Sequence, residues 1–168
     1  GGLQGVFVDP SGEASLTRFY GDFTGEPLGW QEVARAGKLE AARRLFQPDV
    51  GRLERLLEVV CRDRGVDVSG PTRIDAINQV AANLAVYRTY ARAGTRLTAE
   101  EGASVDAALD AAVRTEPTLP PSLLAVVRET LLGEPGGEAA TEFALRFQQF
   151  SGPLMAKGVE DTALYRFN

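Results

Sequence analysis

Apolar residues recur every three or four positions along most of the chain, which is the spacing that gathers them on one face of an α-helix. Polar residues fill the intervening positions and suit the solvent side. This pattern predicts one helix after another. The predicted apolar stripes are Leu16, Phe19, Tyr20 and Phe23; Val50, Leu53, Leu56, Leu57 and Val60; Ile74, Ile77, Val80, Leu84 and Tyr87; Val105, Leu109 and Val113; Leu123, Leu124, Val127 and Leu131; and Phe143, Phe147 and Phe150.

Residues that start and stop helices flank several of these stripes. Ser69-Gly70-Pro71 precedes the third stripe. Thr98 and Glu101 form a capping-box pattern, in which the hydroxyl and the carboxylate each bond a backbone N–H group of the first turn. Gly133 is a predicted stop after the fifth stripe. The phenylalanine helix is predicted to end near Ser151-Gly152-Pro153, because proline disrupts a helix interior.

The expected fold class is all-α or nearly so. Only Val6-Phe7-Val8 has the character of a strand, and it is short. Several antiparallel helices joined by short turns are the natural assembly of such a pattern. No repeat of about 20–50 residues is evident, which argues against a solenoid.

Composition narrows the possible partners. A length of 168 residues predicts one compact domain, and a formal charge of −5 argues against a nucleic-acid surface. No apolar run approaches the roughly 18 residues of a membrane helix, and no signal peptide is visible, so no membrane partner and a cytoplasmic location are expected. The chain lacks an initiator Met, and both ends look cut rather than natural.

The chain contains no histidine and one cysteine, Cys61. Catalysis by Ser/His or Cys/His pairs is therefore excluded, and a zinc site would have no nitrogen ligand. Cys61 follows Val59-Val60, where we expect it to act as a small buried hydrophobic residue. No metal site and no cofactor are expected.

Arg73-Ile74-Asp75 matches the R-x-D pattern that carries the nucleophile in the α-amylase family. There, the Asp stands at the end of a barrel strand. Here, the three residues follow Pro71 at the predicted start of a helix, and no strand-like run precedes them. We therefore interpret Arg73 and Asp75 as polar residues of a first helical turn, with Asp75 favoured by the helix dipole.

The C-terminal run 152–168 combines charged, glycine and aromatic residues in a way that fits no simple stripe. Lys157 is one of only two lysines beside sixteen arginines, which suggests that a compact ammonium group is needed there. Tyr165 offers a flat ring and a hydroxyl, a pairing suited to a sugar. The alternative interpretation is structural: Asp161 or Thr162 caps a short helix, Lys157 pairs with Asp161 or Glu160, and Tyr165 packs.

Three ordered blocks resemble maltooligosyl trehalose synthases, which are enzymes of the α-amylase family. Residues 151–168 are similar to the family's T-G-P-x-M-A-K-G-x-E-D-T-x-F-Y-R-Y-N, residues 5–12 to G-L-F-V-D-P-x-G, and residues 85–90 to P-V-Y-R-T-Y. The departures include Ala85, Leu164 and Phe167, which stand where Pro, Phe and Tyr are usual.

This resemblance implies a parent enzyme that isomerises the terminal α-1,4 linkage of a maltooligosaccharide to α,α-1,1, forming a trehalose end. It also implies that the catalytic carboxylates lie outside this chain, so that the isolated fragment is inactive. The expected division is a barrel-edge segment at 1–24, a helical insertion at 25–136, and a return to the (β/α)8 barrel at 137–168. The substrate-binding or site-supporting residues are Lys157, Glu160, Asp161, Tyr165 and Arg166, on a substrate-side loop of the last segment.

Glu160 and Asp161 are not expected to form a catalytic pair. Neighbouring residues point about 100° apart on a helix and to opposite faces of a strand. They therefore cannot easily face one anomeric carbon from both sides. A different class of function, a non-enzymatic helical interaction or scaffolding module, fits the helices and the acidic surface equally well.

Overall fold

The computed structural model describes residues 10–24 and 29–167, and these residues are mainly helical. A short 3₁₀ turn at Pro10–Gly12 leads into the first helix. The helices are α1 Glu13–Thr24, α2 Trp30–Arg44, α3 Gln47–Asp63, α4 Gly70–Asn83, α5 Ala99–Thr115, α6 Pro121–Leu131 and α7 Gly137–Met155, followed by a π-helix at Ala156–Ala163 and by α8 Leu164–Phe167.

The predicted all-α class is confirmed. The described residues contain no strand, only an isolated antiparallel bridge between Arg92 and Thr95. The possible strand at Val6-Phe7-Val8 lies outside the described residues. Both predicted start signals are present as well: Ser69 caps α4, and Thr98 and Glu101 form the complete capping box of α5.

One hydrophobic core joins helices α2 to α7, to which α2 contributes only Ala41 and Ala42. Its largest fully buried side chains include Phe143 and Phe147 of α7, Leu57 of α3, Ile77 of α4 and Leu123 of α6. Cys61 is buried among them, as expected. Because α7 belongs to this core, the N-terminal part of the 137–168 segment packs directly on the helices of the 25–136 segment.

Helix α2 has no large apolar stripe and is absent from the hydrophobic pattern. Its buried residues are Gly37, Lys38, Leu39, Ala41 and Ala42. Small residues let α2 approach the π-helix at backbone distance: a Cβ added to Gly37 would lie 2.3 Å from the carbonyl oxygen of Gly158. A Cβ on Gly158 would lie 2.5 Å from the Cα of Lys38. The two glycines thus set the spacing of this helix pair.

The interpretation of the third stripe is wrong in part. Helix α4 ends at Asn83, so Tyr87 lies beyond it, and Ile74 is partly exposed. Arg73 lies at the start of α4, as predicted, but it is buried, and its Nη2 lies 2.6 Å from Glu54 Oε1 of α3. Asp75 is exposed and follows the first turn, which contains no acidic residue, so the dipole argument does not apply to it.

Helix α7 ends at Met155, two residues past the predicted stop at Ser151-Gly152-Pro153, but the chain then continues as a π-helix instead of leaving the helical conformation. Pro153 is exposed, so its ring projects towards solvent, while Leu154 on the next position is fully buried. Burial of this face continues the helix past the proline. The helix then widens, and the Thr162 hydroxyl donates to the carbonyl of Lys157, five residues earlier, at 2.8 Å.

The stripe on α1 forms the predicted helix but does not enter the core. Phe19 is 70% exposed and Phe23 is 82% exposed, and their rings stack on each other with centroids 6.4 Å apart. Leu16 is exposed beside them. The Tyr20 hydroxyl of the same helix donates to the carbonyl of Arg166 at 2.8 Å, which ties α1 to α8.

Replacement of Gly158 by alanine should destabilise the chain by about 1–3 kcal/mol, because the new methyl group would overlap the backbone of Lys38. The matched control is Gly51→Ala in α3, where the nearest atom to the added Cβ is 3.8 Å away. That variant should be stabilised by about 0.5–1 kcal/mol through helix propensity. Urea unfolding measures both values, and equal stabilities of the two variants would contradict the close packing of α2 on the π-helix.

Candidate functional site

The five predicted site residues lie on consecutive helical turns. Lys157, Glu160 and Asp161 belong to the π-helix, and Tyr165 and Arg166 belong to α8. The expected substrate-side loop is therefore helical. No helix begins at Asp161 or Thr162, because the helical run that starts with α7 passes through both residues. π-helical turns are rare in proteins, but those that occur are often found at functional sites. Such a turn displaces side chains from the regular helical register.

Lys157 forms an ion pair with Asp161, with Nζ 2.5 Å from Oδ2. Both side chains are more than half exposed. The hydrogen bond from Lys157 to Asp161 raises the pKa of the lysine, so the group stays an ammonium ion at neutral pH. A group in this state donates hydrogen bonds and supplies positive charge, and it does not act as a base.

Glu160 turns to a different partner. It accepts a hydrogen bond from the hydroxyl of Tyr87, which lies in the connection after α4. This bond raises the pKa of Tyr87, so the phenol remains a donor. The Ser151 hydroxyl donates to the backbone carbonyl of Tyr87 at 2.7 Å. Two segments about 70 residues apart in sequence are thus joined twice, and Glu160 and Asp161 face different partners.

Arg166 anchors α8 to the rest of the chain. Its Nη1 lies 2.8 Å from Oε2 of Glu40 in α2, and Arg44 holds the other carboxylate oxygen of Glu40 at 2.9 Å. Hydrogen bonds from Arg166 and then from Arg44 lower the pKa of Glu40. Phe167 packs edge-on against Trp30, with ring centroids 5.4 Å apart. Arg166 is therefore in a position to hold α8 in place.

Tyr165 is 81% exposed, and the neighbouring Leu164 is exposed as well. The expectation of the structural interpretation, that Tyr165 packs, is wrong within this chain. Its ring and hydroxyl are both open to a ligand or to another surface. The Lys157–Asp161 pairing of that same interpretation is present.

Lys38 was not predicted as part of this region. Only 5% of it is exposed, and its Nζ donates to the carbonyl of Leu84 at the end of α4, at 2.7 Å. Burial lowers the pKa of Lys38 to about 8. The available signal was its scarcity, because Lys38 is the only lysine besides Lys157. Lys38 lies directly beneath Gly158, so the π-helix covers its amine. Through its bond to Leu84, the same amine holds the start of the connection that contains Tyr87.

Comparisons of the chain with known proteins found no match among family models, curated proteins or solved structures. Within residues 10–24 and 29–167, no group of three metal-binding side chains is close enough to hold an ion. None of the helices in the same ranges combines the length and the apolar character needed to cross a bilayer.

Lys38→Met should change how stability depends on pH. The folded pKa of about 8 lies below the ordinary value of 10.5, so between these values the unfolded chain binds the extra proton and stability rises with pH. Between pH 7 and pH 10, the free energy of unfolding of the wild-type chain should rise by about 2 kcal/mol relative to that of Lys38→Met. Urea unfolding at the two pH values measures this gain.

Lys157→Met is the matched control, because the pKa of Lys157 is raised rather than lowered. Its stability difference from wild type should show no such gain over the same range. A wild-type advantage over Lys38→Met that is independent of pH would contradict the burial of a titrating amine at position 38.

Proposed function

We propose that this chain is the helical section of a maltooligosyl trehalose synthase. The parent enzyme isomerises the terminal α-1,4 linkage of a maltooligosaccharide to α,α-1,1. Support comes from the three sequence blocks that resemble this family, and above all from one contact. The Tyr87 hydroxyl of the second block bonds Glu160 of the third, so residues that recur together in that family also meet in space.

The chemistry of such an isomerisation follows that of retaining glycosidases, which use two carboxyl groups about 5–5.5 Å apart, one as nucleophile and one as acid and base. In this proposal both lie in the barrel outside the 168 residues. The segment from Lys157 to Arg166 supports the freed glucose while it turns over, before the glycosyl-enzyme is attacked again. A closed, dry site prevents water from intercepting that intermediate.

The described contacts assign separate roles to the five residues. Lys157, kept protonated by Asp161, donates to sugar hydroxyls, and the exposed ring of Tyr165 offers a face for a glucose unit. Glu160 and Arg166 are positioning residues, because each bonds another helix or connection of this chain. The substrate is a maltooligosaccharide, and the reaction needs no cofactor.

The apolar stripe of α1 favours a larger assembly. Stacked phenylalanine rings that are mostly exposed suit a surface covered by further protein. In the proposed parent, that surface is the (β/α)8 barrel, with residues 1–24 at its edge, 25–136 as the helical insertion, and 137–168 returning to it. The parent is proposed to be a cytoplasmic enzyme.

In the full-length parent, Lys157→Ala should raise the ratio of hydrolysis to trehalose-end formation by about tenfold, the effect of one lost charge-assisted hydrogen bond of about 1.4 kcal/mol. Removal of the ammonium group releases the glucose earlier and admits water. Product analysis with maltopentaose as substrate measures the ratio.

Arg146→Ala is the matched control, since Arg146 forms the same i,i+4 type of ion pair with Glu142 on α7. It should leave the ratio unchanged. If Lys157→Ala and Arg146→Ala give the same ratio and rate as the wild-type enzyme, Lys157 has no role in the reaction.

The purified 168-residue chain should not convert maltopentaose, because the proposal places both catalytic carboxylates elsewhere. Chromatography of the products after long incubation tests this, with the full-length enzyme as the positive control. Trehalose-end formation by the chain alone would overturn the placement of those groups.

A non-enzymatic interaction module is the second candidate. The exposed face of α1 favours it, because amphipathic helices commonly present such a face to a partner. The two functions differ in the sequence that flanks this chain in its gene. Barrel strands with R-x-D-H and T-x-x-H-D-T-K motifs would support the enzyme, and their absence would favour the module.

A further inference from the structure

The connection between α4 and α5 is irregular, yet its backbone is firmly held. Side chains from two helices donate to three of its carbonyl groups: Lys38 to Leu84 at 2.7 Å, Ser151 to Tyr87 at 2.7 Å and Gln148 to Ala91 at 2.8 Å. Irregular segments fixed on a rigid scaffold are common carriers of binding residues. This connection therefore has the backbone support that a binding site requires.

Tyr90, within the same connection, has a backbone φ of 55°. It is the one non-glycine residue with positive φ in the described part of the chain. A bulky residue in this left-handed region is strained, and such strain persists where the surroundings enforce it, often at binding sites. The Tyr90 side chain is also 66% exposed, so burial of its ring does not account for the conformation.

Tyr90 lines an open cleft of about 490 Å³ between this connection and α7. The lining residues are Arg88, Tyr90, Ala91, Arg92, Gln148 and Gln149. Neither Arg88 nor Arg92 forms an ion pair with a carboxylate of the described residues, although acidic residues outnumber basic ones, 23 to 18, in the chain. Two guanidinium groups without a direct ion pair therefore share one cleft, and Arg92 interacts with a carboxylate, that of Glu101, only at longer range.

We propose that this cleft binds the phosphate monoester of a small polyol, such as a sugar phosphate. The planar donors of arginine match phosphate oxygens, and two guanidinium groups balance a phosphate dianion. The hydroxyl of Tyr90 and the amide of Gln149 bond hydroxyl groups of the attached polyol. Because none of these residues belongs to the 157–166 segment, the site stands whether or not the parent forms trehalose.

Calorimetric titration of the 168-residue chain with glucose 6-phosphate, inorganic phosphate and glucose tests the site at low ionic strength. Glucose 6-phosphate should bind most tightly, and Arg88→Gln and Arg92→Gln should each weaken it about tenfold or more, the loss of a hydrogen bond to a charged group. Arg114→Gln, which alters an exposed arginine at the end of α5, should leave the affinity unchanged.

The outcomes separate the parts of the proposal. Absence of glucose 6-phosphate binding, or equal weakening by Arg114→Gln, overturns the site. Glucose bound as tightly as glucose 6-phosphate overturns the phosphate assignment. Inorganic phosphate bound as tightly as glucose 6-phosphate overturns the contacts of Tyr90 and Gln149 with the polyol.

Tyr90→Gly tests the strained residue separately, because glycine adopts positive φ freely. This variant should melt at or above the wild-type temperature and should bind glucose 6-phosphate several-fold more weakly. A lower melting temperature together with unchanged affinity would mean that Tyr90 serves packing, and would overturn its role in the site.

Discussion

The backbone contact between Gly37 and Gly158 is the constraint on which the rest of the C-terminal region depends. A side chain at either position would overlap the backbone of the opposite helix, so α2 and the π-helix approach as closely as they do only because both residues are glycine. This approach buries Lys38 and brings its amine to the carbonyl of Leu84. The close packing of two helices thereby fixes the start of the connection that follows α4, and with it the position of Tyr87.

The widened turn of the π-helix then distributes the charged residues among different partners. Asp161 pairs with Lys157 on the solvent side, whereas Glu160 receives the hydroxyl of Tyr87. Farther along, Arg166 binds Glu40 on α2. Glu160 and Arg166 make the segment rigid, because they bond a connection and a helix of the same chain. The exposed ammonium of Lys157 can still donate to a group outside the chain. A rigid support beneath an exposed ion pair is the kind of arrangement that precise recognition requires.

The helices that carry large apolar stripes and good caps are predictable from sequence, because both signals are local. The α5 capping box is an example, since Thr98 and Glu101 are three residues apart. Helix α2 is not predictable in this way, since its buried face consists of small residues and one lysine. Its burial depends on Gly158, about 120 residues later. The buried state of Arg73 likewise depends on Glu54 of another helix. For the candidate site, the sequence suggests a segment and its residue types, which remain a prediction, but the partners of Glu160 and Arg166 are long-range contacts that no local spacing encodes.

The exposed stripe on α1 and the exposed Tyr165 belong to elements that are tied together. The Tyr20 hydroxyl bonds the carbonyl of Arg166, the residue after Tyr165, so α1 and α8 are held side by side. Any protein surface that covers Phe19 and Phe23 therefore lies next to the end of the π-helix. In the proposed parent, docking of α1 on the barrel would bring Lys157 and Tyr165 towards the same body. The hydrophobic contact of α1 would then position Lys157 and Tyr165, which would bind the sugar through specific contacts. Substitutions in α1 would therefore affect the reaction although α1 does not contact the sugar.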